Sequence, residues 1–240
     1  MRILLTNDDG IDAPGLHVLE QAARQVGDVI VVAPAEAHSG CSHRVTTNAL
    51  IRVHAAGANR FAVEGTPADC VRVALFRFGP APMWVLSGVN EGGNLGADVH
   101  HSGTVAAVRE AVLHGWAGAA FSQYKRKGIA LDWNLAATCL PALLRDLAAR
   151  PVEGGAYWNV NLPHLEPGAA TPEYVYCPLD PHPLPLSFRM EDGHLHYNGD
   201  YHGRRRLAGA DVDVCFGGRI AVTRLRLYGD DANTQRKQVL

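Results

Sequence analysis

No apolar run in the sequence approaches the ~20 residues that a membrane-crossing helix needs. Residues 1–6 enter an apolar stretch directly, with no basic leader ahead of a secretory core. No Cys-x-x-C pair occurs, and the five cysteines, Cys41, Cys70, Cys139, Cys177 and Cys215, are odd in number and widely spread. That argues against a disulfide framework or a cysteine-held zinc and fits a reducing cytoplasm. Positive charge is not in excess either. Lys and Arg number 22 against 24 Asp and Glu, a net charge of −2. A partner such as a nucleic-acid duplex needs a basic face to neutralise its phosphates, and none is indicated. The one basic run, Arg204-Arg205-Arg206, reads as a solvated loop or strand end.

What is present is an ordinary apolar content, 47% hydrophobic against 19% charged residues, sufficient for a sizeable core in 240 residues. Residues 2–6 read as a buried strand ended by the turn Asn7-Asp8-Asp9-Gly10. Pro14 suits the first turn of a helix whose apolar face is Leu16, Leu19, Ala23 and Val26. Residues 29–33 are a second buried strand, so the chain opens with a strand–helix–strand unit of the kind that makes parallel sheets. Further strands are expected at 61–63, 83–86, 117–121 and 158–162. Helices are expected from Thr66 as N-cap with Pro67 at the first position, from Ser102-Gly103-Thr104, and over 133–150 with a disturbance at Pro141. After Pro163 prolines crowd the chain, and alternating stretches at 194–197 and 219–225 suggest hairpins. The fold class is therefore α/β, a Rossmann-like doubly wound, mostly parallel sheet. Residues 1–163 form the catalytic core and 164–240 a β-rich extension, with a polar, frayed tail at 230–240.

In open α/β sheets ligands bind beyond the carboxyl ends of the strands. Asn7-Asp8-Asp9, His38-Ser39-Gly40 and Ser87-Gly88-Val89-Asn90 all fall at such ends. Adjacent carboxylates repel, and a hard divalent cation relieves that repulsion, although the pair alone could equally form a turn and cap a helix. The helix start at Ser102-Gly103-Thr104 offers free N–H groups and a positive dipole end to an anion, or simply a capping serine. A metal site and an anion site on one rim suggest phosphoryl chemistry. His38, His43, His100 and His101 lie near these clusters, and any of them could protonate a leaving alcohol. Two rivals remain. A covalent aspartyl-phosphate usually wants Asp-x-Asp after the first strand, and Asp8-Asp9 are consecutive. A non-catalytic nucleotide-binding module could use Gly92-Gly93-x-x-Gly96, which is not Gly-x-Gly-x-x-Gly.

Five motifs in order, Met1-Arg2-Ile3-Leu4-Leu5-Thr6-Asn7-Asp8-Asp9-Gly10, Ser39-Gly40, Gly65-Thr66-Pro67-Ala68-Asp69-Cys70, Ser87-Gly88-Val89-Asn90-Glu91-Gly92-Gly93-Asn94-Leu95-Gly96 and His101-Ser102-Gly103-Thr104-Val105-Ala106-Ala107, resemble the SurE family of stationary-phase survival nucleotidases. The resemblance covers residues 1–107. It implies hydrolysis of nucleoside monophosphates and one divalent cation per subunit, Mg²⁺ or Mn²⁺. It implies Asp8, Asp9, Ser39 and Asn90 as metal ligands, and Asn94, Ser102, Gly103 and Thr104 around the phosphate. Asp8, Asp9 and Asn94 are the expected catalytic residues, either aspartate serving as general base. It also implies a homodimer or homotetramer that exchanges C-terminal segments. The second half departs from the family pattern: Gly218-Arg219-Ile220-Ala221-Val222-Thr223-Arg224-Leu225 stands where the family usually has Gly-Tyr-x-Ser-x-Thr-Pro-Leu.

Overall fold

The computed structural model describes residues 1–227 apart from Pro80, Pro82, Lys127, Pro151, Glu153 and Pro167; the tail expected at 230–240 lies outside the described residues. The order of elements is β1 (Arg2–Thr6), α1 (Pro14–Ala23), β2 (Asp28–Pro34), β3 (Val53–Gly57), β4 (Arg60–Val63), α2 (Pro67–Phe78), β5 (Trp84–Glu91), a 3-10 turn (Gly96–His100), α3 (Gly103–Leu113), β6 (Ala117–Gln123), α4 (Asn134–Ala148), β7 (Ala156–Leu162), β8 (Tyr174–Tyr176), β9 (Phe188–Glu191), β10 (His194–Tyr197), α5 (Asp211–Phe216) and β11 (Ile220–Arg226). Among the described residues nine strands form one sheet in the order β3-β4-β2-β1-β5-β6-β7-β11-β8, and β9 pairs with β10 in a separate hairpin. The central run from β4 to β7 is parallel, as the strand–helix alternation predicts.

Both faces of the sheet are covered, so its strands read as near-continuous apolar runs. Ile3, Leu5, Val31 and Leu86 meet α1 and α4 on one face. Leu4, Val32, Val63 and Val85 meet α2 and α3 on the other. Helix α2 starts as expected: the Thr66 hydroxyl accepts the Asp69 N–H and the Asp69 carboxylate accepts the Thr66 N–H, a reciprocal cap. Helix α4 is unbroken at Pro141, where a disturbance was expected. An interior proline costs about 3 kcal/mol. The apolar side Ala136, Cys139, Leu140, Leu143, Leu144 and Leu147, all buried, outweighs it at roughly 1.5–3 kcal/mol per large side chain.

Residues 219–225, expected in a hairpin, instead form β11 of the main sheet, antiparallel to β7 and parallel to β8. The exposed Arg224 gave this stretch its alternating look, yet Ile220, Ala221 and Val222 are buried. Residues 194–197 do form a hairpin strand. The expected solvated run at 204–206 is wrong for Arg204, which is buried. Its guanidinium bonds both oxygens of Asp98 at 3.2 and 3.3 Å and lies 4.4 Å from the Tyr201 ring. Among the described residues no helix is long and apolar enough to cross a membrane.

Candidate active site

From β1 the chain steps outward to β2 and β4, then returns to place β5 on the other side of β1. This reversal opens a crevice at the carboxyl ends of β1 and β5, the usual place for a ligand in such sheets. Asn7-Asp8-Asp9-Gly10 stands there. The turn is closed by the Asn7 amide, which donates to the Gly10 carbonyl at 2.7 Å, and Gly10 takes a φ of +102°, a conformation open to glycine. Asp8 is buried and Asp9 half-buried.

Each neighbouring element then attaches to this turn. The Thr104 hydroxyl at the start of α3 donates to Asp8 Oδ1 at 2.5 Å. A Cβ on Gly103 would sit 2.9 Å from the Asp8 Cβ, so only glycine lets α3 approach this closely. The His38 N–H donates to the Asp8 carbonyl at 2.7 Å, which draws the Ser39 loop onto the turn. That loop is fastened again where Ser42 donates its N–H to the His101 carbonyl and its hydroxyl to the His100 carbonyl. Asp9 Oδ2 accepts the Glu91 N–H at 3.2 Å from the end of β5. Asn90, one residue earlier, donates its amide to the Gly92 carbonyl at 2.8 Å, and among the described residues its amide oxygen has no partner.

Burial, opposed by the Thr104 bond and reinforced by the charge of Asp9, pushes the Asp8 carboxyl up to about 6. Burial also raises Asp9, against the pull of the Glu91 amide. Two carboxylates that resist ionisation side by side form a hard-oxygen donor pair that suits a small divalent cation. Among the described residues no group of three or more His, Cys, Asp or Glu side chains converges. A cation here would therefore rest on two carboxylates and neutral oxygens, as the donor chemistry of Mg²⁺ or Mn²⁺ allows.

The other expected residues sit one step away. Ser102 caps α3, its hydroxyl oxygen accepting the Val105 N–H at 3.1 Å. The N–H groups of Gly103 and Thr104 begin the helix and have no intrahelical acceptor. Asn94 is buried beside β6 and donates its amide to the Ser122 hydroxyl at 2.7 Å. Its backbone is clamped by β7: its N–H donates to Asn161 Oδ1, and its carbonyl accepts from Asn159 and Asn161. Ser122, Asn159 and Asn161 were not anticipated. Their signal was present, because Asn159-Val160-Asn161 sets two polar groups on one side of an otherwise apolar strand. Of the histidines, His43 is engaged with the Glu110 carboxylate at 2.8 Å, His100 and His101 are exposed, and His38 is half-buried beside the turn.

The profile of the family described as Survival protein SurE matches residues 3–179. A relative from Nostoc sp. is 49% identical over 227 residues, covering 95% of this chain and all of its own. A protein of Allorhizobium ampelinum named 5'-nucleotidase SurE is 41% identical over 237 residues, covering 95% of this chain and 92% of its own. The crystal structure of SurE protein from Aquifex aeolicus superposes with a TM-score of 0.84 at 27% identity, covering 98% of this chain and 97% of that one. The likeness thus reaches past residue 107 to the β11 strand that departs from the family pattern, and the chain belongs to the SurE family.

Proposed function

We propose that this chain is a 5'-nucleotidase, a divalent-metal-dependent phosphomonoesterase that hydrolyses nucleoside monophosphates to nucleoside and phosphate. The observation that carries the reading is the carboxylate pair at the sheet's switch point, with buried Asp8 held against the first turn of α3. The name 5'-nucleotidase SurE, borne by the Allorhizobium ampelinum relative, supports the substrate class. Asp8, Asp9, Ser39 and Asn90 would hold one Mg²⁺ or Mn²⁺ per subunit. When bound, the cation supplies positive charge to the phosphoryl oxygens and acidifies a water.

The chain's own groups do the rest. The N–H groups of Gly103 and Thr104, the Ser102 hydroxyl and the second amide hydrogen of Asn94 hold the phosphate oxygens. Asp9, less buried than Asp8, is the better placed of the two to take a proton from the attacking water. Thr104 positions Asp8, because its hydroxyl is already engaged there.

The test is phosphate release from AMP, GMP, CMP and UMP after chelation, with Mg²⁺ or Mn²⁺ restored singly. Turnover is expected to vanish with the chelator and to return with either ion. Full turnover in excess chelator would sink the reading. Thr104→Val is expected to weaken Mn²⁺ binding about tenfold, since a hydrogen bond to a charged ligand is removed. Titration calorimetry reads this, and unchanged affinity would mean that the bond does not orient Asp8.

We further propose a cytoplasmic homo-oligomer, a dimer or tetramer, assembled through the 164–240 segment. The five cysteines are unpaired, which suits a reducing compartment. The β9–β10 hairpin exposes Phe188, Met190, Leu195 and Tyr197, each more than half exposed. A lone two-stranded hairpin is marginal in water, so a second copy supplies the missing face.

A further inference from the structure

A cleft of about 450 Å³ opens beside the turn at Asp8 and Asp9, over the carboxyl ends of β2 and β4. Its size lies within the range of small-molecule sites. It borders the carboxylate pair directly: its lining residue His38 donates its N–H to the Asp8 carbonyl, and the backbone of Glu36 packs 3.5 Å from the position of a Cβ on Gly10. Neighbouring strands are about 4.8 Å apart, so the cleft lies one to two strands from the carboxylates, about the reach of a ribose and base beyond a phosphate.

The lining divides into fixed and free groups. Thr46 donates its N–H and hydroxyl to Asp69 at 2.8 and 2.7 Å, and the Thr66 hydroxyl donates to the Arg44 carbonyl at 2.6 Å. These bonds fix the floor. Glu64 at the far end faces His54 at 3.0 Å. Glu36, Arg44 and His38 also line the cleft, and the side chains of these three enter no hydrogen bond or ion pair among the described residues. Two carboxylates on the rim repel a phosphate and attract hydroxyl and amino hydrogens. A planar guanidinium and an imidazole suit the faces and acceptor edge of a base. In dinucleotide-binding sheets an acidic residue beyond the first strand–helix unit bonds a ribose hydroxyl in a comparable way.

We propose that this cleft takes the nucleoside half of the substrate, with Glu36 accepting hydrogen bonds from the ribose 2'- and 3'-hydroxyls and with His38 and Arg44 flanking the base. The inference rests on the nucleotidase reading and assigns the ribonucleotide as the preferred substrate.

The experiment compares kcat/KM for AMP, 2'-deoxy-AMP and 4-nitrophenyl phosphate in the unmodified chain, Glu36→Gln and Arg44→Ala, each checked for folding by circular dichroism. The unmodified chain is expected to prefer AMP to its deoxy form by about tenfold or more, because a site built around a hydroxyl leaves a polar group unpaired without it. Glu36→Gln should lose about tenfold on AMP, erase most of the ribose preference, and reduce 4-nitrophenyl phosphate turnover far less. Arg44→Ala should raise KM for AMP while the ribose preference stays. If Glu36→Gln lowers all three substrates alike, or the ribose preference survives it, the assignment of the cleft is overturned. In that case continued hydrolysis of 4-nitrophenyl phosphate would leave the phosphomonoesterase reading standing. Absence of turnover on all three by the unmodified, metal-supplied chain would overturn both.

Discussion

Asp8→Asn is expected to abolish metal-dependent phosphate release from nucleoside monophosphates, by about a thousandfold or more, while the metal-free protein becomes more stable rather than less. Asparagine keeps an oxygen for the Thr104 hydroxyl, so the turn and the α3 contact persist. It removes the charge a cation needs. The stability half follows from burial. A carboxyl whose folded pKa lies above its unfolded value holds its proton more tightly in the folded state. Its contribution to stability is complete below the ordinary 3.8 and is lost as pH rises through about 6. That difference is worth roughly 3 kcal/mol at neutral pH, and the neutral amide escapes it. Urea unfolding of the chelated proteins should show the variant and the unmodified chain close together near pH 3 and separated above pH 7. The pH values bracket the interval between the two pKa values. Full retained turnover in Asp8→Asn would sink the proposed role. A gap of the opposite sign at neutral pH would show that Asp8 is not the costly buried charge that its surroundings imply.

The same physics explains which parts of the molecule were legible beforehand. Asp8 and Asp9 are consecutive, Thr66 and Asp69 stand three apart, and Ser102 immediately precedes its helix. Each is a local signal, written within one turn of chain, and each was read correctly as a turn or a cap. The roles those residues take depend on distant partners. Thr104 reads as a phosphate donor from its place at a helix start, and only the topology adds that its hydroxyl meets Asp8, 96 positions away. Asn159 and Asn161 act on the backbone of Asn94, and nothing local links them. Edge strand β3 is exposed along its whole length, so it carries no apolar pattern to find. Strand β11 misled in the opposite way: alternation at its exposed end suggested a hairpin, whereas its first half is buried between β7 and β8. Arg204 misled most, since three arginines in a row look solvated and only the fold reveals that the first is enclosed.

That enclosed arginine gives the second large effect. Asp98→Ala is expected to cost about 3–5 kcal/mol in urea unfolding, the usual result of leaving a buried charge without its partner. The Asp98 carboxylate also accepts the Tyr201 hydroxyl at 2.7 Å and the Leu95 N–H at 3.1 Å, so two further donors lose it together with Arg204, while the Arg204 Nη2 bond to the Leu95 carbonyl, at 3.3 Å, remains. Adding Arg204→Met should recover most of the loss, because an apolar chain of similar length has no charge to strand in the interior. A single-variant loss under about 1 kcal/mol, or no recovery in the double variant, would mean that water reaches the guanidinium and that the pair is not enclosed. The consequence extends to the active site. Leu95 follows Asn94 directly, and Asp98 lies within the Gly96–His100 turn that leads into Ser102 and α3. The ion pair that fastens the C-terminal segment to the sheet therefore also sets the loop proposed to hold the phosphate. Turnover in Asp98→Ala should fall even at denaturant-free, low temperature, where the protein is still folded. Segment 164–240 thus contributes to the proposed chemistry without placing any of the expected ligands, by holding still the backbone on which they stand.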